Sequence, residues 1–285
     1  MALVCIWGSS FILMKKSLQI FDPVQLGFLR MSFASLILIP FIFRYYKKIP
    51  KDKWIFLFIA GLIGNSLPAY LFSKAQTGID SSLAGVLNAV TPFFTLIVGL
   101  LFFKLKVRFI NILGLLLGLI GAVEIIGLSG LGNFNKNLHY SGYIILATIL
   151  YAINLNLIKE KLKEVDSFVI VVFSISMVGI PSMFLLFEFT PFMATLQKEG
   201  AVSHLIYPAV LGIGGSAIAL MMYYHLVKIT DVVFSSSVTY FLPIVAILFG
   251  VLDGEIFRMM NLVWIVLIII GIYLVNRKPV VPNDK

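Results

Sequence analysis

Long apolar blocks alternate with short polar stretches along the whole chain. A helix needs roughly 20 apolar residues to cross the hydrocarbon core of a bilayer. By that measure the pattern predicts ten spanning helices, at residues 2–18, 24–43, 54–72, 81–103, 109–128, 140–158, 167–187, 203–227, 232–252 and 260–276. The first is barely long enough to span.

The chain also resembles itself. A displacement of 144 residues sets Trp7-Gly8-Ser9-Ser10 on Tyr151-Ala152-Ile153-Asn154, Lys15 on Lys159, Leu18 on Leu162 and Asp22 on Asp166. A displacement of 151 sets Gly61 on Gly212, Gly64 on Gly215, Asp80 on Asp231, Pro92 on Pro243 and Gly99 on Gly250. Ordered matches of Asp, Pro and Gly exceed what a shared apolar composition supplies. Each half carries five spans, an odd number, so the second half enters the membrane from the opposite side. The expected fold is an all-α integral membrane protein of ten transmembrane helices. They form two inverted five-helix repeats, residues 1–138 and 139–285, around a central cavity.

Composition agrees with the pattern. The 285 residues are 60% apolar and 12% charged, with a mean hydropathy of +1.03. Soluble domains average about 45–50% apolar and about 25% charged, so this surface must face lipid. The net charge of +9 would suggest nucleic acid in a soluble protein. In a membrane protein it reads as basic loops on the cytoplasmic side, and no nucleic acid is expected. With the N-terminus inside, 15 basic residues fall on the inner side and 6 on the outer, with Arg30 within a span. Both termini are therefore expected in the cytoplasm. No basic stretch precedes the first apolar run, so a cleavable signal peptide is not expected. Cys5, the one cysteine, cannot form an internal disulfide and leaves the redox compartment open.

Signs of catalysis are sparse. His139, His204 and His225 are scattered, no Cys/His cluster has metal-ligand spacing, and no nucleophile elbow or phosphate-binding loop appears. The reading is no enzyme, no cofactor and no metal. Arg30 is the sharpest charge, eight residues beyond Asp22 and so about 12 Å down the second span. It is expected to face the bundle, where it either meets an anionic group of a solute or caps helix carbonyls. Lys15 and Lys16 are expected to snorkel to the interface, and Glu124 to sit at a solvated helix end. His225 could sense protons but reads better as an interfacial residue. Gly114, Gly118 and Gly121 suit a dimer face or close packing within one subunit. Trp7, Ser10, Phe11 and Met14 share a helical face, as a cavity wall or as packing. Pro92 and Pro243 can kink two helices at corresponding depths, as suits a gate. Ser81, Asn88, Thr91 and Thr95 form a polar stripe, with Ser235 and Thr239 on the matching face of span nine. Such stripes line a wet cavity or bond between helices.

Several short motifs stand in a recognisable order: Trp7-Gly8-Ser9-Ser10-Phe11 with Lys15, Leu29-Arg30, Asn88 to Pro92 with Phe94, Phe241-Leu242-Pro243, Gly254-Glu255 and Gly271-Ile272-Tyr273. With the five-plus-five pattern, the chain resembles the drug/metabolite transporter superfamily, specifically its ten-helix EamA-type branch, over nearly its whole length. Lys104 stands where a Gly-Glu pair is usual, and Tyr151-Ala152 replaces an aromatic-Gly pair. The resemblance implies that spans one to four and six to nine surround a cavity, with five and ten peripheral. The candidate lining is then Trp7, Ser10 and Met14 in span one, Arg30 in two and Asn65 in three. Asn88 and Thr91 follow in four, Tyr151 and Asn154 in six, Tyr223 in eight, and Ser235 and Thr239 in nine. It further implies a secondary transporter of the bacterial inner (plasma) membrane that exports a small organic solute by alternating access. The solute would be an amino acid, a related metabolite or a drug-like compound. The alternatives are a passive channel and, less favoured, a membrane-embedded lipid-modifying enzyme. Expected partners are that small-molecule solute and membrane lipid, while proton coupling and the choice of monomer or homodimer stay open.

Overall fold

Asp22 illustrates how local chemistry starts a span. Its carboxylate accepts the backbone N–H groups of Val24 (2.8 Å) and Gln25 (3.0 Å), and the Gln25 side chain accepts the Asp22 N–H at 3.2 Å. Pro23 follows at the first helical position, where its missing donor costs nothing. In the computed structural model, residues 1–103, 108–128, 134–230, 235, 237–256 and 259–275 are described, and no strand occurs among them. In chain order the helices are α1 (Ala2–Ser17), α2 (Pro23–Tyr45), α3 (Trp54–Gly61), α4 (Leu67–Ala75), α5 (Ser81–Asn88), α6 (Thr91–Phe103), α7 (Phe109–Leu128) and α8 (Phe134–Lys161). They continue as α9 (Ser167–Glu188), α10 (Phe192–Leu196), α11 (Ala201–His204), α12 (Ile206–Val210), α13 (Ala219–Ile229), α14 (Leu242–Leu252) and α15 (Met260–Val275). Asp166 caps α9 as Asp22 caps α2, accepting the Phe168 N–H at 2.9 Å.

Among the described residues six stretches are long and apolar enough to cross a membrane: Pro23–Lys48, Lys51–Ala75, Ser81–Phe102, Leu138–Lys161, Ser167–Glu188 and Ala201–Ile229. Shorter apolar helices include Leu242–Leu252 and Met260–Leu274. The exterior is apolar, with Phe43, Leu101, Phe102 and Phe184 all exposed, whereas Ser17, Ser35, Thr95 and Ser174 are fully buried. Hydroxyls inside find carbonyls about a turn back, as Ser17 does on Leu13 and Thr95 on Thr91, both at 2.9 Å. That distribution suits a lipid solvent, which offers backbone and hydroxyl groups no partner.

Two spans depart from the continuous helices expected. Residues 81–103 break at Ala89 and Val90, and Pro92 is the second residue of the new helix α6. Pro243 sits likewise in the first turn of α14, after a 3₁₀ turn over Ser237–Phe241. Both prolines therefore start helices and do not kink continuous ones, because a first turn needs no N–H from proline. Two π-helical segments, Leu62–Ser66 and Leu211–Ile218, widen the third and eighth spans. Their Gly64 and Gly215 are partners in the 151-residue displacement.

Packing ties one half of the chain to the other. Helix α2 lies on α9, α7 on α15, α4 and α6 on α8, and α1 and α5 on α14. Two large apolar clusters both mix residues from the two halves. At Gly271 a methyl would run into the Gly114 carbonyl and the Gly118 backbone, so α7 and α15 meet main chain to main chain. Gly118 also lies against Phe93, and Gly121 against Trp264 and Ile268. The row of small residues is thus used in packing within the chain.

Candidate functional site

A cavity of about 770 Å³, including its mouth, opens between α1, α2, the π segments, α5, α8 and α13. Helix α1 contributes Trp7, Ser10, Phe11 and Met14, and α2 contributes Arg30. The third span adds Gly64, Asn65 and Phe72, and Asn88 and Thr91 flank the break between α5 and α6. From the second half come Tyr151, Asn154 and Leu155 of α8, Gly215 of the second π segment, and Leu220, Tyr223 and Tyr224 of α13, with Thr239. Among the described residues α7 and α15 add none, as expected for peripheral helices, but α9 adds none either. Helix α9 instead spends its buried face on α2 and α3.

The π segments explain part of this geometry. A π turn displaces the helix axis locally and offers backbone carbonyls to side chains nearby. The Trp7 indole Nε1 donates to the Gly215 carbonyl at 2.9 Å, and its ring meets Tyr223 edge-on with centroids 4.8 Å apart. In the other half, Gly64 faces Asn154, and a methyl there would overlap the Asn154 amide. That amide is free to donate to the Tyr224 hydroxyl at 3.0 Å. Phe72 stacks on Tyr151 at 6.0 Å and meets Phe11 edge-on at 5.9 Å. The Arg30 Nε donates to the Ser216 hydroxyl at 2.8 Å. Of the two partners expected for Arg30, this bond is neither: it goes to a hydroxyl, not to a helix carbonyl.

Eleven of the twelve candidate lining residues meet at this one cavity. Ser235 does not: it is fully buried, and its hydroxyl shares a 2.7 Å hydrogen bond with Thr230. The polar stripe of span four also divides. Asn88 and Thr91 reach the cavity, Thr95 bonds back to Thr91, and Ser81 serves the helix end described next. The break at Ala89–Val90 separates these roles. Gly64, Phe72, Leu155, Gly215, Leu220 and Tyr224 also line the cavity, outside the expected set. For the glycines the signal was present as the paired Gly64 and Gly215; for Tyr224 nothing in the sequence distinguished it.

A second polar cluster lies where α1 and α14 end and α5 begins. Lys15 pairs with Asp253 and Glu255, each at 2.9 Å, and Lys16 pairs with Asp253. These lysines are thus held by carboxylates, because the turn after α14 brings acids to them. Glu255 accepts the N–H and hydroxyl of Ser81 at 2.9 and 2.7 Å, and those of Ser82 at 3.0 and 2.5 Å. It therefore caps the start of α5, where Asp80 makes no side-chain cap of its own. Burial pushes the Glu255 carboxyl up, but hydrogen bonds from Ser82, Ser81 and Lys15 outweigh it and hold it down at about 2. Burial, with Glu255 nearby, pushes Asp80 up. Elsewhere, Lys159 donates to the carbonyls of Val227 (3.1 Å), Lys228 (3.2 Å) and Thr230 at the end of α13. Glu124 and His225 are exposed, and Lys104 lies outside the described residues.

Comparison with known proteins adds to this geometry. The family model described as the EamA-like transporter family matches residues 1–127 and 140–277. A protein of Archaeoglobus fulgidus named an uncharacterized transporter is 23% identical over 281 residues, covering 96% of each chain. The uncharacterized inner membrane transporter YedA of Escherichia coli is 26% identical over 304 residues, covering 98% of this chain and 92% of its own. One solved crystal structure shares the fold with a TM-score of 0.71 at 17% identity, covering 96% of this chain and 94% of its own. The all-helical bundle, its apolar exterior and these matches lead to one conclusion: the chain belongs to the EamA-like transporter family of the drug/metabolite transporter superfamily.

Proposed function

We propose that this protein is a secondary transporter that exports a small organic solute by alternating access. The observation that carries the reading is the cavity itself. Polar and aromatic side chains from both halves of the chain converge on one interior space inside a bundle whose exterior is apolar. In this reading the ten spans form two inverted five-helix repeats, residues 1–138 and 139–285, and rocking between them exposes the cavity to each side in turn. Trp7, Ser10, Met14, Arg30, Asn65, Asn88, Thr91, Tyr151, Asn154, Tyr223 and Thr239 contact the solute. The helix starts at Pro92 and Pro243 serve as the moving joints. The protein sits in a bacterial inner membrane with both termini in the cytoplasm, and transport needs no nucleotide hydrolysis by this chain.

Comparative metabolite profiling of medium from cells with and without the protein identifies the solute. Counterflow of that solute in protein-only liposomes then tests the mechanism. Saturable counterflow without nucleotide is the expected result. Flux that never saturates would mean a channel, and a strict ATP requirement would overturn the mechanism.

A further inference from the structure

Among the described residues the cavity is lined by one formal charge, and none of them neutralises it. Arg30 is permanently cationic and offers five N–H donors. Its Nε is used on Ser216, and among the described residues neither a carboxylate nor a further hydrogen bond engages its terminal nitrogens. No Asp or Glu is among the residues lining the cavity. The acids after α14, Asp253 and Glu255, are committed to Lys15, Lys16 and the start of α5. Gly215 stands beside the Ser10 hydroxyl and the Arg30 Nη2, so that position of the π segment puts no side chain over that edge. A buried charge in a low-dielectric setting is stabilised by an opposite charge that accepts its hydrogen bonds. Here the chain leaves that place to something else.

The walls set the rest of the requirement. Trp7, Phe11, Phe72 and Tyr151 surround the cavity with aromatic faces. We infer that the cavity binds an organic monoanion, a carboxylate-type head on an aromatic or apolar body, with Arg30 as the residue that binds the head. This rests on the transport reading and names its substrate class. A cationic solute would meet Arg30 with no acid to offset it. A dianion would leave one charge uncompensated, and a neutral amide would leave the guanidinium without its counter-ion.

The test uses the full chain in nanodiscs of neutral phosphatidylcholine and three probes that share a phenyl body: phenylacetate, phenylacetamide and 2-phenylethylammonium. Isothermal titration at neutral pH should find phenylacetate tightest. The amide should bind about tenfold to a hundredfold more weakly, the range expected for a hydrogen bond to a charged group. The ammonium should bind no better than the amide. Arg30→Gln should abolish the preference for phenylacetate, and Arg30→Lys should keep part of it. The wild-type ranking stands alone if Arg30→Gln fails to fold. Equal or tighter binding of the amide or the ammonium overturns the inference, as does no binding of phenylacetate. Neither result touches saturable counterflow of the exported solute. Conversely, tight phenylacetate binding without any counterflow would sink the transport reading and leave the anion site standing.

Discussion

Glu255 and Ser82 are joined twice across 173 residues of chain, through the backbone N–H at 3.0 Å and the hydroxyl at 2.5 Å. The pair couples the turn after α14 to the first turn of α5, and so one half of the protein to the other. A carboxylate here satisfies donors that no intrahelical carbonyl can reach and lies at the positive end of the helix dipole.

This tie makes stability depend on pH with a definite sign. The Glu255 carboxyl is held at about 2, against an ordinary value of 4.5. A pKa lowered in the folded state contributes stability in full above the ordinary value and loses it as pH falls toward the folded value. Thermal denaturation of the purified protein should show Glu255→Gln less stable than wild type at neutral pH. The gap should narrow as the medium is acidified from 4.5 toward 2. A gap that is constant with pH would mean that the ionised carboxylate is not what holds α5.

The place of Gly64 against Asn154 sets a second expectation. Gly64→Ala puts a methyl on the Asn154 amide and should displace its hydrogen bond to Tyr224. Flux should fall by more than membrane abundance does, because the change lands on the cavity wall. Adding Asn154→Ser, which shortens the obstructed side chain, should restore part of the flux. A double variant no better than Gly64→Ala would show that the two residues are not coupled.

Asn88 and Thr239 reach the cavity from the two halves of the chain. Asn88→Leu and Thr239→Val each replace a polar cavity contact with an apolar one of similar size. At equal membrane abundance, each should cut flux of the transported solute about tenfold, the loss expected for one hydrogen bond in the site. Unchanged flux and affinity in both would assign these residues to packing.

The orientation can be read with impermeant thiol reagents. Cys5 is exposed and is first replaced by Ser. In that background Lys198→Cys should label from outside intact cells and Lys48→Cys should not. The reverse result would invert the topology.

The parts of the fold that were legible in the sequence are those written in composition and order. Apolar blocks longer than a bilayer is thick, and acids such as Asp22 and Asp166 just before them, mark helices and their starts. The cavity lining was legible because polar residues inside apolar spans must turn inward, as Arg30, Asn88 and Asn154 do. What the residue pattern left hidden depends on contacts between distant segments. Nothing adjacent to Lys15 shows that Glu255 will reach it, and hydropathy does not distinguish a π turn from an α turn at Gly64 or Gly215. The division of Ser81 from Thr95 follows from a helix break that period counting passes over.

The tie at Glu255 has a consequence for why the two halves share one chain. The displacement that sets Pro92 on Pro243 also sets Lys104 on Glu255, and Ser81 and Ser82 on Val232 and Val233. The acceptor and both hydroxyls are thus encoded once. Two identical five-helix chains assembled antiparallel about a two-fold axis in the membrane plane would carry the same residues at both mouths, and their two facing states would have equal energy by symmetry. Fusion removes that constraint. In the transport reading proposed above, one mouth can then carry a clasp whose residues the sequence does not repeat at the other, so that the empty carrier rests with a chosen side open. Such a bias sets where the carrier waits for solute, while the gradient alone decides which way net flux runs.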